Sequence, residues 1–475
     1  MDEIIKECIK LLASSKDNGK NRKQLSLSQF RSSISLCFSL GLDSSKVSKY
    51  FKLHIQSSEL VQEDKEGMPR VVEELVLSLW CFNSGVAMND LLLQGVRSVI
   101  IASGTLSPLN SFATEMGLEF PNRLENTHVI SPSQIYVGVV PKGPNNHVLS
   151  SIYNLRDSRE YILDLGNTIA NLARIVPDGL LVFFTSYNAL LKSTKEWQTP
   201  NGLGQTIWDR IIREKQIFIE PKNKLDFTSA IQAYEKAISA NKGGAVFFAV
   251  CRGKASEGID FSDKKARAVV ICGIPYPFSR DAKVMLKRKI LEDERNGAGQ
   301  EWYTQQAARA VNQAIGRVIR HCKDFGAILL CDERFTQPHV VKQLPVWVRP
   351  FVNPEKLFGK TQSNLVTFFK TMRDSKGVFP VAFDPLLSVK DNGTTRDVLA
   401  SNNRVKSITT KDFEASDPLR PLILQRYDLS HTEMEIHIFR AASKTLYRCP
   451  IVLIPCVSTT EYLLISTKER QSTHS

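Results

Sequence analysis

Gln313, Arg317 and Arg320 stand at i, i+4 and i+7 in QAIGRVIRH, residues 313–321, a spacing that puts all three on one stripe of a helix. Two guanidiniums and an amide aimed at one point suit a nucleotide γ-phosphate, because arginine offers planar, paired donors and keeps its charge. Gly316 sits beside that stripe, where a missing Cβ lets a backbone or a phosphate come close. The spacing alone would equally describe a solvated basic helix face. Its neighbours favour chemistry: AVCRGKASEGIDF at 249–261 precedes it and the apolar run AILLC at 327–331 follows. The segment is read as an arginine-finger helix in a motor domain.

The 249–261 run leaves a strand at Cys251 and turns through Arg252, Gly253, Lys254, Glu257, Gly258 and Asp260. Glycines around a basic pair and two acids suit a loop that touches a phosphate backbone and senses a nucleotide. Asp260 is a candidate acceptor for a ribose hydroxyl or a magnesium-bound water, Glu257 an orderer of the loop; a plain polar turn is the alternative. Thr185 and Ser186, after LLVFF, offer hydroxyls and backbone N–H groups to single-strand phosphates; alone, they would read as a helix cap. FGKT at 358–361 imitates a P-loop, but Pro354 stands where the pattern needs its first Gly, so a kinase built on it is rejected. AILLCDE at 327–333 imitates a strand ending in a magnesium-binding acid pair. With no GxxxxGK[ST] loop in the 475 residues, Asp332 reads as a structural acid.

Positioning these residues requires an α/β frame. Apolar runs LLVFF, AVFFAVC, ARAVVICG and AILLC alternate with helical patterns from about residue 158, which means a parallel sheet with helices on both faces and ligands at the strand C-termini. Upstream, VEELVLSLWCF, GVAMNDLLLQG and SVIIAS read as strand, helix, strand. In SGTLSPLNSFATEMG, Ser107 is expected as N-cap, Pro108 as first helical residue and Gly117 as stop. That places Ser103, Gly104 and Thr105 where a buried strand becomes a helix. Residues 1–75 read as short amphipathic helices, with helical periodicity at 4–12. Beyond about 375 the alternation fades, and PIVLIP at 450–455 is too short and proline-broken to assign. The expected divisions are 1–70, 71–130, 131–375 and a tail at 376–475.

Composition narrows the class. Apolar residues at 42% and charged ones at 23% describe a globular chain with real cores. Lys and Arg number 62 against 49 for Asp and Glu, a net +13, and that surplus favours an anionic partner, most commonly nucleic acid. The nine cysteines lack zinc spacing and read as free thiols of a reducing compartment. MDEIIKECIK is acidic and soon polar and does not read as a secretory signal, and no apolar run approaches the roughly 18 residues of a membrane helix, so a membrane partner is not expected. Lys20, Arg22 and Lys23 are either a nuclear signal or plain surface.

SGTLSP at 103–108, LVFF-TSY at 181–187, AVCRGKASEGIDFSD at 249–263, GIPYP at 273–277 and NQAIGRVIRH at 312–321 together resemble the iron–sulfur superfamily 2 DNA helicases, the group of the xeroderma pigmentosum group D and Fanconi anaemia group J enzymes. The resemblance is carried by residues 70–372. It implies two RecA-like motor domains and ATP-driven, 5′-to-3′ unwinding of DNA, including loops and quadruplexes, in nuclear repair and telomere maintenance. Replication and telomere proteins are the implied partners. By the same likeness Gln313, Arg317 and Arg320 would face the γ-phosphate of ATP with its Mg²⁺, Asp260 the ribose, and Thr185 and Ser186 the DNA backbone. SGTLSP would couple the two domains, and residues 1–70 would end an arch-like insertion. The family's P-loop, DEAH box and four [4Fe–4S] cysteines find no counterpart here, so the expectation is an N-terminally truncated motor half. The alternative is a non-catalytic module that binds single-stranded DNA or a partner.

Overall fold

The computed structural model describes residue 28, residues 48–375 except 64–68, 97, 104–105, 126–127, 129, 201–203, 241–242, 257–258 and 260, and short strands in the tail. The helical reading of residues 4–12 lies outside the described residues. Residue 28 and residues 48–50 are helical, and from Phe51 onward the expectation of short helices gives way to strands. β1 (Phe51–Glu63) and β2 (Pro69–Cys81) pair antiparallel along their whole length, with Leu53 opposite Leu79 and Ile55 opposite Leu77. The reason is visible in FKLHI, where apolar residues recur at every second position, the period of a strand. His54 stacks on Trp80 with ring centroids 4.4 Å apart.

α1 (Gly85–Leu93), β3 (Ser98–Ala102) and α2 (Leu109–Met116) follow. They enclose a small core of Met88, Val99, Ile101, Leu106, Ala113 and Phe120. α2 starts one residue later than expected: Pro108 is the cap position, its carbonyl accepts from the Phe112 N–H, and Ser107 is buried without capping the helix. Gly117 does end it, in the left-handed conformation at φ 62° that a glycine adopts without strain. PIVLIP, left unassigned from sequence, is a strand. Prolines at the ends of an edge strand need no ladder N–H; thus β14 (Ile451–Pro455) lies parallel to β3, while β15 (Tyr462–Thr467) joins β3 to β4 (Asn122–Glu125). Residues Phe383–Cys449 form a separate unit, whose described part is the antiparallel pair β12 (Ser407–Ile408) and β13 (Ile436–His437).

The largest sheet orders its strands β11-β5-β10-β9-β6-β8-β7, with every neighbouring pair parallel. β6 (Gly179–Phe184), β8 (Ala245–Val250), β9 (Ala268–Cys272) and β10 (Gly326–Leu330) are the expected runs. β5 (Ile135–Val139), β7 (Gln216–Ile219) and β11 (Val352–Pro354) were not foreseen. Each is short and borders the sheet's margin, where little apolar run is needed. The central strands are buried on both sides, which is why they read as unbroken apolar runs. Leu181, Phe183, Phe247, Ala249, Val269 and Ile271 face one core, beneath α6 (Lys224–Ser239) and α8 (Ala298–Ile315). Leu180, Val182, Phe184, Phe248 and Val270 face the other, beneath α3 (Arg159–Ile175), α4 (Tyr187–Trp197) and α9 (Phe358–Asp374). The fold is α/β with a doubly covered parallel sheet, as expected.

His128 packs against Trp347, and burial holds its imidazole down at about 4. A histidine whose folded pKa lies below its ordinary 6.5 stabilises the fold above that value, and the contribution is lost as pH falls toward the folded value. Lowering pH from 7 to 5 should therefore cost about 2 kcal/mol. A His128→Leu variant, unfolded in urea at both pH values, should lose most of that difference; an unchanged difference would locate the acid sensitivity elsewhere.

Candidate functional site

The interesting loops gather at the C-terminal ends of β6, β8 and β9. The chain runs outward from β6 to β7 and back to β8, then crosses to β9 and β10 on the other side, and such a reversal opens a crevice at the strand ends. Ser186 leaves β6 as the N-cap of α4, its Oγ accepting from the Ala189 N–H at 3.2 Å. The capping alternative thus describes its side chain. Thr185 lies half-buried beside Gly273 at the end of β9, where φ is 96° and a Cβ would stand 2.2 Å from the Ser151 Oγ. Only glycine fits that close approach.

After β8, Arg252 takes the left-handed conformation at φ 61° and its guanidinium donates to the Gln306 carbonyl of α8 at 2.8 Å. The Lys254 ammonium donates to the carbonyls of Lys222 and of Pro221, the latter at 3.3 Å. Glu257, Gly258 and Asp260 lie outside the described residues, as do Gly104 and Thr105. Ser103, at the end of β3, is buried.

The arginine segment corrects its sequence reading. α8 stops at Ile315, so Gln313 is helical while Arg317 and Arg320 are not on its stripe. Two tight bonds, Arg317 N–H to the Ala314 carbonyl and Val318 N–H to the Ile315 carbonyl, wind the helix down. Asp324 then captures the Arg320 N–H at 3.1 Å and draws the chain away from the helix axis. The turn nevertheless brings the guanidiniums together. Arg317 donates to the carbonyls of Ile259 (2.8 Å) and Ser256 (2.6 Å), and Arg320 donates to the same Ile259 carbonyl at 3.0 Å. Both residues are buried, at 6% and 7% exposure. They meet under the loop after β8, and turn geometry rather than helical periodicity makes them meet.

The two imitations resolve as expected. Asp332 is fully buried and accepts from the Ser151 N–H, the Arg334 N–H and the Arg334 guanidinium at 2.7–3.0 Å. With its oxygens taken by protein donors, it is a structural acid. Gly359, Lys360 and Thr361 lie inside the first turn of α9, where no loop forms a phosphate nest.

Sequence reasoning missed two groups. α8 is tied to α2 by Arg309, whose guanidinium donates to Glu115 and to the Ser111 Oγ (2.8 Å), and by Gln306 to Glu115 at 3.2 Å. Glu220, at the end of β7, is buried between the loops after β6 and β8. Neither had a sequence signal, since lone acids in polar stretches look like surface. Among the described residues, no helix is long and apolar enough to cross a membrane.

A family model described as the helicase C-terminal domain matches residues 169–351, and one described as the RTEL1 helicase ARCH domain matches residues 1–84. The regulator of telomere elongation helicase 1 homolog of Oryza sativa subsp. japonica is 48% identical over 335 residues, covering 68% of this chain and 33% of that protein. The mouse regulator of telomere elongation helicase 1 is 48% identical over 304 residues, covering 62% and 25%. The chain thus spans about a quarter to a third of the length of the curated relatives it matches. The solved structure named XPD_Helicase is 24% identical over 53% of this chain and 41% of that one, with a TM-score of 0.37.

Proposed function

Because this chain belongs to the regulator of telomere elongation helicase family, we propose that it supplies the C-terminal motor half of an ATP-dependent DNA helicase. The reading extends to 5′-to-3′ movement, to opening of loops and quadruplexes in repair and telomere maintenance, and to a nuclear location with replication and telomere proteins as partners. The observation that carries it is the convergence of Arg317 and Arg320 on the Ile259 carbonyl. Arginine keeps its charge at any working pH and offers planar, paired donors, which suits an anion brought by a facing domain. Gln313 and Gly316 are proposed to serve the same phosphate, and Glu257, Gly258 and Asp260 are the proposed nucleotide loop.

ATP with Mg²⁺ is the proposed nucleotide, and its hydrolysis supplies the free energy for movement. The residues here that would face its phosphates are Arg317, Arg320 and Gln313. Thr185, Ser186, Arg252 and Lys254 are proposed to touch the DNA backbone, and Ser103, Gly104 and Thr105 to couple the motor halves through α2. An iron–sulfur cluster finds no fit among the described cysteines. The described cysteines, Cys81, Cys251, Cys272, Cys322 and Cys331, form no group of three whose sulfurs lie close enough to share a metal, whereas a cluster is held by four.

The 475 residues contain no GxxxxGK[ST] loop, which favours a second reading for this chain by itself: DNA binding without ATP turnover. Its test is single-stranded DNA binding across a salt series. Log affinity should fall with log salt, and Lys254→Ala should reduce the slope by about 0.7, the share of one single-strand phosphate. DNA-stimulated ATP hydrolysis by this chain alone would overturn that second reading, and the absence of DNA binding would overturn both.

A further inference from the structure

The sheet order β6-β8-β7 sets three C-terminal loops side by side. We propose that the end of β7 is part of the DNA-binding edge, with buried Glu220 positioning the phosphate loops after β6 and β8 and Lys222 supplying a further phosphate contact. This rests on the DNA reading above. Glu220 is 2% exposed, and its main chain continues the β7–β8 ladder, its N–H donating to the Phe248 carbonyl at 2.8 Å. Its carboxylate reaches both neighbours. Oε2 accepts from the Val250 N–H at 2.9 Å; Oε1 accepts from the Lys254 N–H at 2.7 Å and from the Tyr187 hydroxyl at 2.9 Å.

One side chain therefore holds the loop carrying Arg252 and Lys254 and the turn carrying Thr185 and Ser186. The fit is close: a Cβ on Gly253 would lie 2.4 Å from Oε1. Burial and Glu220 together push the Tyr187 hydroxyl up to about 12, so it remains a donor to the carboxylate. Two residues on, the exposed Lys222 sets its ammonium 5.7 Å from the Tyr187 ring centroid, and its carbonyl accepts from the Lys254 ammonium. Two ammonium groups, Lys222 over the Tyr187 ring and Lys254 over the Phe227 ring at 5.8 Å, match a phosphodiester backbone with its bases nearby. A buried acid beneath them draws their loops together without facing the DNA.

The test uses the whole chain and an oligothymidine. Glu220→Gln replaces one acceptor by an NH₂ group, so one of the Val250 and Lys254 N–H groups meets a donor. Affinity should fall about 10-fold, the worth of a charge-assisted hydrogen bond. Because Glu220 acts in part through Lys254, the same change in a Lys254→Ala background should weaken binding by clearly less than about 10-fold. Lys222→Ala should flatten the salt slope by about 0.7. Tyr187→Phe, which deletes one hydroxyl, should weaken binding about three-fold and covers the case in which Glu220→Gln fails to fold. Full additivity of Glu220→Gln with Lys254→Ala, or an unchanged slope in Lys222→Ala, overturns the inference alone. Failure of the unaltered chain to bind the oligothymidine overturns the DNA reading and this inference with it.

Discussion

Arg317→Ala, made in an enzyme that carries both motor halves, is expected to cut DNA-stimulated ATP turnover by about 10³-fold or more while DNA affinity changes less than about two-fold. The asymmetry follows from position. Arg317 is buried under the loop after β8, with its guanidinium bound to the carbonyls of Ser256 and Ile259, whereas the proposed DNA contacts lie at the ends of β6 and β8. Charge that develops on a transferring phosphate is the stage at which a fixed guanidinium contributes most. Arg317→Lys should recover little, because an ammonium keeps the charge and loses the planar fork that spans two acceptors. Steady-state turnover and DNA binding, measured on the same preparation beside a melting curve, separate the outcomes. Near-normal turnover would remove Arg317 from the nucleotide site. Parallel losses of turnover, DNA affinity and melting temperature would make it a structural brace between Ser256 and Ile259.

Asp324→Ala should be the most destabilising single change in the motor domain, lowering unfolding free energy by about 3–5 kcal/mol. Asp324 is fully buried. Its carboxylate accepts from the Arg267 guanidinium at 2.8 Å, the Phe325 N–H at 2.9 Å and the Arg320 N–H at 3.1 Å. Arg267 is itself buried, and its guanidinium stands 4.0 Å from the Phe325 ring centroid. Removing the acid strands that cation in a low-dielectric interior, which costs more than the ion pair ever contributed. The double change Arg267→Met with Asp324→Leu should therefore recover most of the loss, as apolar replacement of a buried pair often does. Urea unfolding of the three variants reads this directly, and a loss below about 1 kcal/mol for Asp324→Ala would mean that water reaches the pair. Turnover should fall in Asp324→Ala as well, since the same carboxylate holds the turn that aims Arg320.

The sheet was legible wherever its strands are buried on both faces. LLVFF and AVFFAVC can hide only inside, so composition alone announces them. β7 and β11 escaped because edge strands need fewer apolar residues. β1 escaped because a prior for helices overrode the alternation in FKLHI, whereas most of β2 was read as a strand. At the site, residue types were legible and geometry was not. The guanidiniums do converge, yet through a turn fixed by Asp324, a contact no local pattern encodes. Ser186 caps a helix, as its spacing allowed. Glu220 and Glu115 were invisible because their importance arises from what a distant strand or helix brings to them.

α8 is a stiff rod, about 27 Å long at 1.5 Å per residue. Its middle is bolted to α2 through Arg309, Gln305 and Gln306, and its start is pinned to α7 (Ala282–Glu294), where Glu292 accepts from the Gly297 and Gly299 N–H groups. A rod fastened in this way transmits displacement instead of absorbing it. The guanidinium turn lies roughly two helical turns beyond the bolt, so any tilt of α2 swings that turn by a comparable amount. Gearing of this kind depends on where the fulcrum sits, and moving the Arg309 anchor along the rod by one turn would change the stroke without touching either end.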